Sequence, residues 1–259
     1  MIRVALVDVD GCLTDGEGSA LDLKLLADVA EVNRRSRVDP QTPAVTLCTG
    51  RPAPYVEVLH QAIGGWLPAI FENGCGLFVP RPYGFHKHPS LTREREDAFR
   101  AASSLLRERL VSSGDAYFQP GKEFSATLYP LTMSVHELFL RARDLAGDAV
   151  YLDEAVTCIN LMPVGMDKGV GAAWLAQETG IGLDEMAGIG DSDADLVFLE
   201  RVGLAAAPAN ATRNVRRRAA YVSKYPTGRG LLDLLRIIAD RNRSTREQRS
   251  ASQVKAVKP

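Results

Sequence analysis

The chain has 259 residues, room for one large domain or two modest ones that each bury a core. Its 46% hydrophobic and 24% charged residues suit an ordinary globular protein, and a formal net charge of −1 gives no sign of a polyanion partner, so nucleic acid is not the expected ligand. Four scattered cysteines without a C-x-x-C pair read as reduced thiols, no apolar run reaches the roughly 18 residues of a membrane span, and the N-terminal run meets carboxylates at once, unlike a signal peptide. A cytoplasmic protein without membrane contact is the expectation.

In chain order, VALV at 4–7 and AVTLC at 44–48 are apolar, β-rich runs of the kind buried on both faces of a sheet. AIF at 69–71, MAGIG at 186–190 and GLAAA at 203–207 repeat the pattern. Helical periodicity falls at 21–33, 55–63 and 170–179, which predicts β-α-β units and a doubly wound parallel α/β sheet. The middle differs. One charged amphipathic helix is expected over 92–110, then strands with polar alternation in FSATLYPL and AVTCINLMP. That predicts an inserted α+β domain over 80–162, bracketed by the turn-forming PRPYG and MPVG, with the core in 1–79 and 163–238. Residues 239–259 carry almost no large apolar side chains, which predicts a disordered basic tail.

Chemistry concentrates where predicted strands run out. Asp8 and Asp10 follow the first strand, and a period of two lets both point the same way. Close carboxylates repel each other and any phosphate unless a hard cation neutralises them, which points to magnesium. Alone, the pair is equally a solvated turn bent at Gly11. After the second strand, Thr49, Gly50 and Arg51 place a hydroxyl, a flexible residue and a guanidinium at a helix start, which suits a phosphate and equally suits a plain cap. Lys168 opens another predicted helix, where its charge opposes the dipole unless an anion lies near. Asp191, Asp193 and Asp195 crowd a third strand end and offer further oxygen ligands, or else only a solvated loop. In the insertion, Lys122, Glu123 and Ser125 of GKEFSAT are either a surface turn or polar groups for the organic half of a ligand.

The ordered set D-x-D-G-x-L-T, T-G-R, D-K-G and G-D-S-x-x-D resembles the four motifs of haloacid dehalogenase superfamily phosphatases that carry a cap between the second and third motifs. The resemblance runs from residue 1 to about 235, and ENG at 72–74 with PANAT at 208–212 is most similar to archaeal-type phosphoglycolate phosphatases; the basic tail is not part of that pattern. It implies a small phosphorylated metabolite as substrate, with Asp8 as nucleophile and Asp10 as acid and then base. It also implies Mg2+ at Asp8, the Asp10 backbone carbonyl and Asp191, with Asp195 as ligand or support, and phosphoryl oxygens on Thr49, Gly50 and Lys168 with Arg51 beside them. Sucrose-phosphate, mannosyl-phosphoglycerate and Cof-type phosphatases share much of the framework. A phosphomutase on the same core, or an inactive phosphate-binding module, is the competing expectation.

Overall fold

The computed structural model describes the backbone of residues 1–256 and the side chains of residues 1–248. In chain order the elements are β1 (Val4–Val7), α1 (Leu23–Ser36), β2 (Ala44–Leu47), α2 (Ala53–Ala62), β3 (Ala69–Phe71), β4 (Gly76–Pro80), β5 (Tyr83–Lys87) and α3 (Arg93–Leu106). Then come β6 (Ala116–Phe118), β7 (Ala126–Pro130), α4 (Val135–Ala146), β8 (Val150–Glu154), β9 (Ile159–Pro163) and α5 (Lys168–Thr179). The chain closes with β10 (Met186–Ile189), α6 (Leu196–Leu199), β11 (Leu204–Ala207), α7 (Arg213–Arg218), β12 (Tyr221–Val222) and α8 (Thr227–Ala256). No helix among the described residues is long and apolar enough to cross a membrane. Two compact units divide the chain: residues 1–47, 58–68 and 176–259 form one, and residues 48–57 and 69–175 the other.

The first unit is built on a five-stranded parallel sheet ordered β12-β11-β10-β1-β2. β1, β2, β10 and β11 are buried at every position, which explains why their sequences are continuous apolar runs without alternation. Asn33 on α1, fully buried, replaces missing backbone partners: its amide donates to Val45 O (3.1 Å) and Ile63 O (2.9 Å), and its Oδ1 accepts from Val45 N (2.8 Å). Asn242 on α8 does the same for the start of β1, accepting from Ile2 N (2.8 Å) and donating to Ile2 O (2.7 Å) and Gln41 O (2.9 Å). Helix α8 runs through Ala256, into the segment 239–259 whose composition predicts a basic tail, and Asn242 ties the helix to the start of β1. Residues 257–259 of that predicted tail lie outside the described residues.

The second unit holds two antiparallel sheets, β3-β4-β5 and β6-β7-β9-β8. β3 therefore departs from the expectation of another parallel-sheet strand: it pairs antiparallel with β4, and a single bridge from Ile70 to Cys48 is its parallel contact. A three-residue apolar run does not distinguish the two settings. In the four-stranded sheet, Ala126, Leu128, Ile159 and Leu161 pack with Phe99, Leu106, Leu138 and Ala142 of α3 and α4. The alternate positions Thr127 and Asn160 point to the other face and hydrogen-bond there (2.8 Å). Fully burying a leucine contributes about 1.5–3 kcal/mol, so this apolar layer is a core in its own right. The helix predicted over 92–110 is α3, capped by Thr92 and ended by a π turn at Arg107–Val111.

Candidate active site

Adjacent parallel strands that end in register bring their next residues together. Val7 of β1 pairs with Ile189 of β10, and Asp8 N donates to Ile189 O (2.9 Å), so Asp8 and Asp191 leave the sheet side by side. From β1 the chain passes to β2 on one side, while β10 lies on the other, making the β1/β10 boundary the switch point at which open α/β sheets place their ligands. Asp8, Asp191 and Asp195 each bring a carboxylate oxygen within 4.8 Å of the others. Asp8 is 6% exposed and Asp195 is fully buried.

The turn after β10 is held by Asp195, whose Oδ2 accepts from Asp191 N (3.0 Å), Ser192 N (3.0 Å) and Ser192 Oγ (3.1 Å). Asp191 is steered by Cys12 Sγ (3.7 Å to Oδ1) and by Asn210, whose amide reaches Asp191 Oδ2 (3.5 Å) and Gly11 O (2.9 Å). Gly11, at φ +81°, leaves the space that the Asp191 carboxylate fills, and a Cβ there would run into it. Asp193 turns away, accepting from Thr212 Oγ1 and Asn214 Nδ2. Asp10 sits in the loop that follows β1, with Thr14 Oγ1 donating to its Oδ1 (3.4 Å) and to Val9 O (3.3 Å).

Three carboxylates this close in a mostly buried setting are mutually repulsive, and a hard divalent cation with oxygen ligands is the group that relieves it. The donor set fits: all oxygen, on a glycine-relieved loop, with one carboxylate already committed to shaping the turn.

The other residues singled out in the sequence lie in the second unit and come together there. Thr49 and Arg51 share a tight turn, Arg51 N donating to Thr49 Oγ1 (3.2 Å), and the Arg51 guanidinium lies over the Tyr55 ring (4.8 Å). Gly50 faces the Asn73 amide, whose Oδ1 would be 2.9 Å from any Cβ placed there. Asn73 N donates to Thr49 O (2.9 Å). Lys168 is the first residue of α5 and is 6% exposed; its carbonyl accepts from Cys48 Sγ (3.8 Å), and Asp167 Oδ1 caps the helix at Val170 N (2.7 Å). Gly171 lies so close to Gly74 that a Cβ would be 2.7 Å from its Cα, which seats the start of α5 on the Glu72–Gly74 turn. Thr49, Gly50, Arg51 and Lys168 are therefore grouped around Glu72–Gly74. Burial, then the nearby Glu72, raises the Cys75 thiol above its ordinary range, so it is a protonated core group.

Sequence reasoning noted the strings that hold Asn210, Glu72 and Asn73 but gave these three residues of the framework no role. Asn210 lies in PANAT and the other two in ENG, each a polar residue in a turn-like string, which looks the same as a surface turn until its partners are known.

Residues 138–235 match the family model for haloacid dehalogenase-like hydrolases. Among curated proteins, a phosphoglycolate phosphatase of Methanospirillum hungatei is 27% identical over 239 residues, covering 92% of this chain and 97% of that one. Its counterpart in Methanopyrus kandleri is 28% identical over 238 residues, with 91% and 97% covered. Among solved structures, a Thermoplasma acidophilum protein superposes with a TM-score of 0.72 at 23% identity, over 92% of this chain and 98% of that one. A haloacid dehalogenase-like hydrolase from Bacteroides thetaiotaomicron gives 0.65 at 14%, over 92% and 100%. The structural likenesses carry the fold, and the curated relatives carry it along nearly the whole chain. Motif order, the family match over residues 138–235 and the near-complete coverage by curated relatives agree in making this chain similar to phosphatases of the haloacid dehalogenase superfamily.

Proposed function

We propose that the chain hydrolyses a small phosphate monoester through an aspartyl-phosphate on Asp8, with magnesium as its cation and 2-phosphoglycolate as its preferred ester. The cluster of Asp8, Asp191 and Asp195 beyond the ends of β1 and β10 carries this reading. The curated relatives named as phosphoglycolate phosphatases support the substrate.

Asp8 attacks phosphorus in line; the phosphorus–oxygen ester bond breaks as the Asp8–phosphorus bond forms, and Asp10 gives its proton to the leaving oxygen. Asp10 then takes a proton from water, which attacks the same phosphorus and frees phosphate and Asp8. Asp8, the Asp10 carbonyl and Asp191 would hold the cation, whose charge lets an anionic carboxylate approach an anionic phosphate. Asp195 orients the Asp191 turn through its three hydrogen bonds. Thr49, Gly50 and Lys168 hold the phosphoryl oxygens as charge shifts, with Arg51 beside them. The insertion at 80–162 serves as the cap that reads the rest of the ester.

Rates of phosphate release from phosphoglycolate, sugar phosphates and an aryl phosphate test the substrate. The highest kcat/KM is expected for phosphoglycolate. A sugar phosphate ahead of it moves the assignment to the sugar-phosphatase branch, and transfer between sugar positions without release moves it to a mutase.

A further inference from the structure

Glu72 is fully buried and has a left-handed backbone, φ +48°, as does Asn73 at φ +54°. Such residues cost on the order of 1–2 kcal/mol each and persist where their surroundings over-determine them. The surroundings here are two distant stretches of the same unit. Through the backbone, Glu72 N donates to Arg51 O (3.1 Å) and Asn73 N to Thr49 O (2.9 Å). Through the side chain, Glu72 Oε1 accepts from Glu123 N (2.9 Å), and Oε2 accepts from Phe124 N (2.8 Å), Ser125 N (2.7 Å) and Ser125 Oγ (2.9 Å). Three consecutive N–H groups converging on one carboxylate form an anion nest, occupied from within the chain.

The loop so held runs beside the 49–51 turn. A Cβ on Gly121 would lie 3.8 Å from Pro52, and the Phe124 ring packs on Phe71 with centroids 6.2 Å apart. The loop's cation, Lys122, is half-buried and donates to Thr127 Oγ1, which donates to Asn160 Oδ1 (2.8 Å) on the face of the sheet away from its apolar core. Position and charge of Lys122 are thereby set by the loop on one side and by a polar strand face on the other.

We propose that Glu72 is a positioning residue for substrate selection: its carboxylate locks the 121–125 loop, and with it Lys122, in fixed register to the 49–51 turn. The phosphoryl-holding turn and the loop that meets the organic half of the ester then form one body. This rests on the reading of the 49–51 turn as a phosphoryl site. A carboxylate that only glued two loops together would affect all esters alike, whereas a positioning carboxylate affects the ester whose organic half is recognised.

The test measures kcat/KM on the best ester and on an aryl phosphate for wild type, Glu72→Gln and Lys122→Ala, with amide hydrogen exchange of residues 123–125. Glutamine keeps one acceptor oxygen and presents an NH2 donor where the other stood, facing backbone N–H groups. In both variants the ratio of best ester to aryl phosphate is expected to fall by about tenfold or more, as one lost polar contact to a substrate allows. In Glu72→Gln the loss is expected in KM more than in kcat, with faster exchange at 123–125. An unchanged ratio in either variant overturns the proposal. If Glu72→Gln does not fold, Ser125→Ala, which removes one of the four hydrogen bonds, takes its place, and an unchanged ratio there is equally contrary. If wild type releases no phosphate at all, the phosphatase reading fails separately. Exchange then decides the latch, and unaltered exchange at 123–125 in Glu72→Gln overturns it.

Discussion

Asp195 and Glu72 are two buried carboxylates that solve one problem at different range. Each is fully buried, and each accepts from consecutive backbone N–H groups and one serine hydroxyl. The donors to Asp195 are its own neighbours, three and four residues back, so it shapes a single turn and aims Asp191. Those to Glu72 lie 51 to 53 residues away, so it joins two segments that the sequence keeps far apart. A short-range carboxylate shapes one turn from within, whereas a long-range one ties together two turns about 50 residues apart.

Breaking each carboxylate should separate those roles. Asp195→Ala is expected to give the larger effect, since it strips the turn that aims Asp191. Divalent-cation affinity, measured by calorimetry, should fall by about 10–100-fold, as for lost outer partners of a metal ligand. Stability in urea should fall by about 1–3 kcal/mol as well, because the backbone donors stay buried. Glu72→Ala should cost a similar about 1–3 kcal/mol of stability, yet leave cation affinity within about twofold of wild type, an equality that is small on the scale of 1.4 kcal/mol per decade. An equal loss of cation affinity in both variants would erase the distinction. Gly11→Ala comes next: with φ at +81° and the Asp191 carboxylate where the methyl group would go, about 1–2 kcal/mol of strain should appear alongside weakened cation binding.

A smaller effect belongs to His60, a buried imidazole. Burial lowers its affinity for protons below the ordinary value of 6.5, opposed in part by its 2.7 Å hydrogen bond to Leu67 O. The unfolded chain binds that proton below pH 6.5 while the native state resists it, so stability is full above about 6.5 and declines as pH falls. The slope is bounded by about 1.4 kcal/mol per pH unit. Urea midpoints at pH 7.5 and 5 should show it, and His60→Gln should flatten the decline.

The same difference in range governs what the sequence disclosed. β1, β2, β10 and β11 were legible because strands buried on both faces need uninterrupted apolar runs, and the grouping of Asp8, Asp191 and Asp195 follows from their standing just beyond the ends of β1 and β10. α4 went unpredicted although its signals are local: Ser134 accepts from Glu137 N, and Leu138, Ala142 and Ala146 repeat every four residues. β5 has a mostly exposed, polar edge and no apolar run to mark it. Asn242 and Glu72 were out of reach for another reason. A single amide or carboxylate takes its meaning from partners 240 or about 50 positions away, and the sequence does not name them.

The most direct test of the account is magnesium-dependent phosphate release from an aryl phosphate by wild type and Asp8→Asn, each with metal and with chelator. Wild type should turn over only with metal, and Asp8→Asn should lose on the order of ten-thousandfold or more in kcat while unfolding at an unchanged or higher urea midpoint. Undiminished release by a folded Asp8→Asn protein, or equal release in chelator, would contradict it.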